Sequence, residues 1–191
     1  MIKLNLLITE TKMRIQTLAM VGATILLSGC STYSANRYSI SSENVLMLEN
    51  LSSSKIKIGQ FTASEPNQTS LYCRTSIPVM VPDGQSFEQY IQNAFQNELS
   101  MAHRYSDKAP ITLTGHINSI DFTTGFKGQW MIDFTLSSSN GKSINLSENY
   151  NFTSSYDARI VCQQTAQALM PAVQNLIGKA TKHPKFKTLL K

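Results

Sequence analysis

The sequence predicts an α+β fold: an antiparallel sheet of four to five strands with two longer helices packed on one face. Three observations lead there. Apolar residues recur at three- and four-residue steps from about Ser86 to Ala102, and again from Asp157 onward, which is the repeat of a helix face. Between those stretches, residues 111–152 alternate apolar and polar in three runs, the repeat of half-buried strands. Asn140-Gly141 separates the last two runs, a dipeptide suited to a hairpin turn. The 191 residues are 41% hydrophobic and 15% charged, a balance that fits one folded core and excludes a disordered chain.

The elements follow in order. Residues 31–42, "STYSANRYSISS", are serine-rich without an apolar period and read as a flexible tether, about 40 Å long at full extension. "ENVLMLENL" (43–51) reads as a short helix with Val45, Leu48 and then Leu51 on one face; a strand over "NVLML" is the alternative. "KIKIGQF" alternates, with Ile56, Ile58 and then Gln60 on one side. "SLYCRTS" (70–76) is a second strand, and "IPVMVPDGQ", with two prolines and Asp-Gly, is a loop. Ser86 and Gln89 form a capping box that starts the first long helix, whose stripe is Phe87, Ile91, Ala94, Phe95, Leu99 and Ala102.

Three strands then form a meander. Ile111, Leu113, Gly115 and Ile117 share a face; the series resumes at Ile120 and Phe122 one residue out of step, which predicts a bulge near Asn118-Ser119. Gly125 to Gly128 turns the chain, and Trp130, Ile132, Phe134 and Leu136 point inward on the next strand. A type I′ turn at Asn140-Gly141 leads to the return strand, with Ile144, Leu146, Tyr150 and Phe152 inward and Glu148 on the same face. The final helix carries Ala158, Val161, Cys162, Thr165, Leu169, Ala172, Val173 and Leu176. A kink or restart is expected at Pro171 and a C-cap at Gly178.

The N-terminal segment is different in kind. Met13-Arg14 precedes an apolar run, Leu18 to Leu27, of about ten residues, half of what a membrane span needs. That length fits the apolar core of a signal peptide. Translation from Met1 or from Met13 both fit. The run ends Leu27-Ser28-Gly29-Cys30, which resembles the lipobox of bacterial lipoproteins. The resemblance implies cleavage before Cys30, with Leu27, Ser28 and Gly29 as the peptidase's recognition residues and Cys30 as the acylated residue. Ser31, rather than Asp, follows the cysteine, which by the same resemblance implies the outer membrane, facing the periplasm. The chain then divides into a signal peptide (1–29), a lipidated Cys and tether (30–42) and a single domain (43–191) with a basic C-terminal tail.

Residues 1–29 carry a net charge of +2 and residues 179–191 five lysines and no acid, which leaves the body between at −2. The lysine-rich end is most simply a solvated terminus. With Cys30 assigned to lipid, Cys73 and Cys162 remain. In an oxidising periplasm they are expected to form a disulfide, with two free core thiols as the alternative. The closed loop of about 90 residues corresponds to roughly 4 kcal/mol of chain entropy as an upper figure.

Little in the rest of the sequence points to catalysis. His103, His116 and His183 have no partner at metal-ligand spacing, and no cofactor motif is present. Ser52 and Lys55 match a serine–lysine pattern but lie before a strand, not at a helix start. Gly141-Lys142-Ser143 resembles the end of a phosphate loop, but position 136 is Leu. Asp121 and Asp133 could pair across a hairpin as glycosidase carboxylates do, although outward-facing strand positions explain them more simply. Phe186 alone among the terminal lysines does not make a nucleic-acid groove. The element order resembles small periplasmic lipoprotein domains such as those like the N-terminal domain of TolB. Two functions are expected from this: a non-catalytic lipoprotein that binds membrane lipid through Cys30 and a protein partner in an envelope assembly, transport or cell-wall synthesis complex, or an enzyme or ligand carrier using Asp121, Asp133 or Glu148.

Overall fold

The computed structural model describes residues 32–50 and 54–191. The chain forms β1 (Tyr33–Ser34), α1 (Ser42–Glu49), β2 (Ile56–Ile58), β3 (Thr62–Ala63), β4 (Ser70–Cys73), β5 (Ile77–Met80), α2 (Phe87–Met101), β6 (Ile111–Thr124), β7 (Gly128–Ser138), β8 (Ser143–Phe152), α3 (Ala158–Lys182) and α4 (Phe186–Leu189). This is the expected α+β class, built on two sheets. The larger has the order β2-β6-β7-β8 with β3 also on β6; the smaller is β1-β5-β4. The long pairings β6–β7 and β7–β8 are antiparallel, whereas β2 and β3 join β6 in parallel and β1 joins β5 in parallel.

The core follows from the alternation. Trp130, Ile132, Phe134 and Leu136 on β7 are fully buried, as are Leu113 and Ile117 on β6 and Ile144 on β8. They meet the α2 stripe of Phe87, Ile91, Ala94, Phe95 and Leu99 and the α3 stripe of Val161, Leu169, Ala172, Val173 and Leu176. Trp130 Nε1 donates to the Thr165 carbonyl at 2.9 Å, so the largest apolar side chain also satisfies its one donor. The register shifts between Ile117 and Ser119, the bulge that the sequence predicts. Ser86 caps α2 with Gln89 reciprocating.

Several elements differ from the sequence expectation. The serine-rich stretch expected as a tether is fastened to the domain: Tyr33 and Ser34 pair with Val79 and Met80, and Ala35 is buried. Its docking residues, Tyr33, Ala35 and Tyr38, are too few to show a period. The expected loop "IPVM" is β5; pairing with β1 begins at Val79, just past Pro78, so no β1 partner needs the missing N–H. Beyond β2 the alternation breaks at Gly59, leaving Gln60 exposed and Phe61 buried. The turn at Asn140-Gly141 is not type I′, because only Gly141 has positive φ. Gly141 N–H donates to Ser138 and Ser138 N–H to Lys142, closing a turn with one left-handed glycine. α3 runs unbroken through Pro171 to Lys182, and Gly178 lies inside it. There a Cβ would meet Asn44 Oδ1 at 2.9 Å, so the glycine serves helix packing and not termination. The C-terminal end is not simply solvated: Phe186, Leu189 and Leu190 are buried, and Asn140 Nδ2 donates to the carbonyls of Thr188, Leu189 and Lys191.

Candidate functional site

Cys30, Leu27, Ser28 and Gly29 lie outside the described residues. Cys73 and Cys162 are joined by a disulfide with Cα atoms 5.8 Å apart, which ties the end of β4 to the second turn of α3.

Asp121 and Asp133 are diagonal neighbours on one face of the β6–β7 pair, and Glu148 lies apart from them on the other face. Asp133 pairs with Ser119 and Asp121 with Met131, both on the outer, polar face of the sheet. Each already has a local donor: Ser119 Oγ lies 3.2 Å from Asp133 Oδ2, and Phe122 N–H donates to Asp121 Oδ1 at 2.7 Å. Glu148 stands opposite Ile132 on the inner face, 2% exposed, with Lys179 Nζ of α3 2.9 Å from its Oε2. His116 shares hydrogen bonds with Thr62 and Ser64 on the outer face, and the carbonyl of His103 accepts from Lys55. Among the described residues no cluster of three His, Cys, Asp or Glu side chains could hold a metal ion. None of the helices described is long and apolar enough to cross a membrane.

Sequence reasoning missed two buried acids on α2 that clamp loops. Glu88 Oε1 accepts from the Asn67 N–H at 2.8 Å. Glu98, fully buried, accepts from the Tyr38 hydroxyl, from the Ser41 N–H at 2.9 Å and from Asn44 Nδ2 at 3.4 Å. Burial first, and then the Glu98 carboxylate, hold the Tyr38 hydroxyl far above the usual phenol range, so its proton stays on the bridge. The legible signal was position: Glu98 falls between Phe95 and Leu99 on a helix already read as amphipathic.

β8 lies at an edge of the larger sheet. Among the described residues it pairs with a neighbour on one side only. Its outward residues, Ser143, Asn145, Ser147, Asn149 and Asn151, are exposed and uncharged. Lys179 Nζ takes the Ser147 carbonyl at 2.8 Å, near the strand's middle. Beside the strand's C-terminal half, an open groove of about 800 Å³ runs between β8 and α3, lined by Tyr150, Phe152, Gln164, Gln167, Pro171 and Lys127. Gln164 Oε1 is buried there without a hydrogen-bond partner among the described residues. Phe152 lies across the backbone of Gly128, where a Cβ would come within 2.2 Å of its ring, so the groove's floor depends on that glycine. Edge backbone groups beside an aromatic groove with an unused acceptor can take an extended peptide segment by strand addition.

No protein-family model and no curated protein matches the chain. Among solved structures, a Xanthomonas campestris protein of the DUF330 family model aligns with a TM-score of 0.55 at 10% identity, covering 79% of this chain and 95% of that one. That likeness shows a shared fold. Weaker likenesses, below the level that establishes a fold, are to a "putative lipoprotein" from Caulobacter crescentus (TM-score 0.37, 12% identity, 78% and 96% covered) and to the PelC dodecamer from Paraburkholderia phytofirmans (0.30, 16%, 74% and 93%).

Proposed function

We propose that the chain is a lipid-anchored, non-catalytic module that faces the periplasm from the outer membrane and binds an envelope protein along β8. The observation that carries the binding reading is the unpaired β8 edge beside the Tyr150–Phe152 groove. Backbone hydrogen bonds would give affinity there and the groove would select side chains. The settings of the carboxylates support binding over catalysis: Asp121 and Asp133 are exposed on the sheet's outer face, each with a local donor, and Glu148 is buried on the other face beside Lys179. The anchor reading rests on the lipobox at Leu27–Cys30 and the short apolar run before it.

A photo-crosslinking residue placed at Asn149, and for comparison at Lys108 outside this surface, tests the proposal in intact envelopes. The expected result is one dominant adduct from position 149 only. Equal adducts from both positions, or none from either across growth conditions, would contradict a β8 partner.

A further inference from the structure

The domain's chain begins at a particular end of the molecule. β1 runs parallel to β5, so following the chain back from Tyr33 leads toward Ile77 and the Arg74–Ser76 turn. Other contacts gather at this end. Arg74 Nη2 donates to the Thr124 carbonyl at the tip of the β6–β7 hairpin, 3.0 Å away. Ser154 Oγ donates to the Gly125 carbonyl at 2.9 Å, which brings in the loop after β8. The Cys73–Cys162 disulfide adds the N-terminal part of α3. Three separate segments, 74–76, 124–128 and 153–160, therefore make one surface beside the point of chain entry.

That surface is apolar and basic together. Of the seven large hydrophobic residues exposed among those described, four lie on or next to it: Tyr72, Phe126, Tyr156 and Ile160. Phe126 is 89% exposed and Tyr156 90%, values that no core or turn requirement explains. The three segments carry Arg74, Lys127 and Arg159 against one acid, Asp157, which caps α3 through Oδ1 and lies 3.9 Å from Arg159 Nη2 through Oδ2, leaving a net positive surface. Cys30 is two residues from Thr32, a reach of about 7 Å at most. Aromatic rings with neighbouring cations are the composition that settles at the polar boundary of a bilayer containing anionic lipid.

We propose that this end rests on the membrane surface, with Phe126 and Tyr156 at the headgroup level and Arg74, Lys127 and Arg159 toward anionic lipid phosphates. The proposal rests on the reading of Cys30 as the lipidated residue. It replaces a domain swinging on a long tether with one held at a fixed orientation, which puts the β8 groove, through Lys127 and Phe152, next to the bilayer. Charge alone would favour the opposite end, where the C-terminal lysines lie beside Asn140; the point of chain entry and the exposed rings decide for this one.

The test uses the full lipoprotein reconstituted in vesicles of phosphatidylethanolamine and phosphatidylglycerol whose acyl chains are brominated, with the fluorescence of a Phe126→Trp variant read against Met101→Trp. Met101 is exposed at the opposite end, near Arg104, and native Trp130 is fully buried. Quenching of the added Phe126→Trp emission by about half or more, with none for Met101→Trp, is the expected result. Vesicle sedimentation of the same samples separates the two readings. Protein that stays in solution overturns the anchor and the placement with it. Protein that sediments without quenching at position 126, or with quenching at position 101 instead, overturns the placement alone. An emission shift at position 126 that follows protein concentration without lipid makes the patch a self-contact and also overturns it.

Discussion

The Tyr38 hydroxyl, from the segment that leads out of the N terminus, donates to the carboxylate of Glu98, which is completely buried on α2. The same carboxylate accepts the Ser41 N–H at the head of α1. One buried acid thus fixes both the entry segment and the first helix. Its other oxygen has no hydrogen-bond partner among the described residues, so the donors it does have matter more. Tyr38→Phe keeps the ring against Tyr90 and removes the donor. A loss of about 1–3 kcal/mol is expected from urea unfolding, together with faster amide exchange over residues 33–41. An unchanged midpoint and unchanged exchange would show that the bridge fastens nothing.

The disulfide supports a second expectation. Cys73 and Cys162 lie 89 residues apart in sequence. Replacing both by serine should cost about 2–4 kcal/mol, read as a lower urea midpoint that no longer responds to reductant. If the wild-type protein melts identically with and without reductant, the bridge does not hold the fold.

Much of the fold was legible because periodicity dominated locally. The capping box at Ser86 and Gln89, the bulge after Ile117 and the inward series of β7 each announce themselves within a few residues. What was not legible depends on partners distant in sequence. Pro78 sits in a strand because β1, more than forty residues earlier, starts pairing one residue later. Gly178 looked like a terminator because nothing in its own helix shows Asn44 packed against it. The candidate site divides the same way. Cys73–Cys162 followed from counting cysteines, whereas the β8 groove requires knowing that β8 ends the sheet.

Gly115 offers a test of the aromatic core. A Cβ there would lie 2.4 Å from Phe134 Cζ and 2.7 Å from Phe61 Cδ2, in the cluster of Phe61, Phe95 and Phe134. Gly115→Ala should therefore destabilise by about 1–3 kcal/mol. Gly125→Ala, with nothing within 4 Å among the described residues, should stay within about 0.5 kcal/mol of wild type. Equal effects in thermal melts of the two variants would refute this packing.

Asp157 gives a pH signature. It caps α3, and the N–H groups of Ile160 and Arg159 hold its carboxyl below the usual carboxylate range. A depressed folded-state pKa stabilises above the unfolded value, near 3.9, and the contribution is lost as pH falls through the folded value. Asp157→Ala should thus be less stable than wild type by a constant margin from pH 5 to 7, on the order of the range where the cap is fully ionised. The margin should close under acid. A margin that widens on acidification would reverse the sign and remove the cap from the account.

The proposed function depends on lipid at Cys30 holding the domain to a membrane. Mass spectrometry of the native N terminus tests it most directly. The expected result is a chain that begins at Cys30 and carries two or three acyl groups. An unmodified chain beginning at Met1 or Met13 would contradict it.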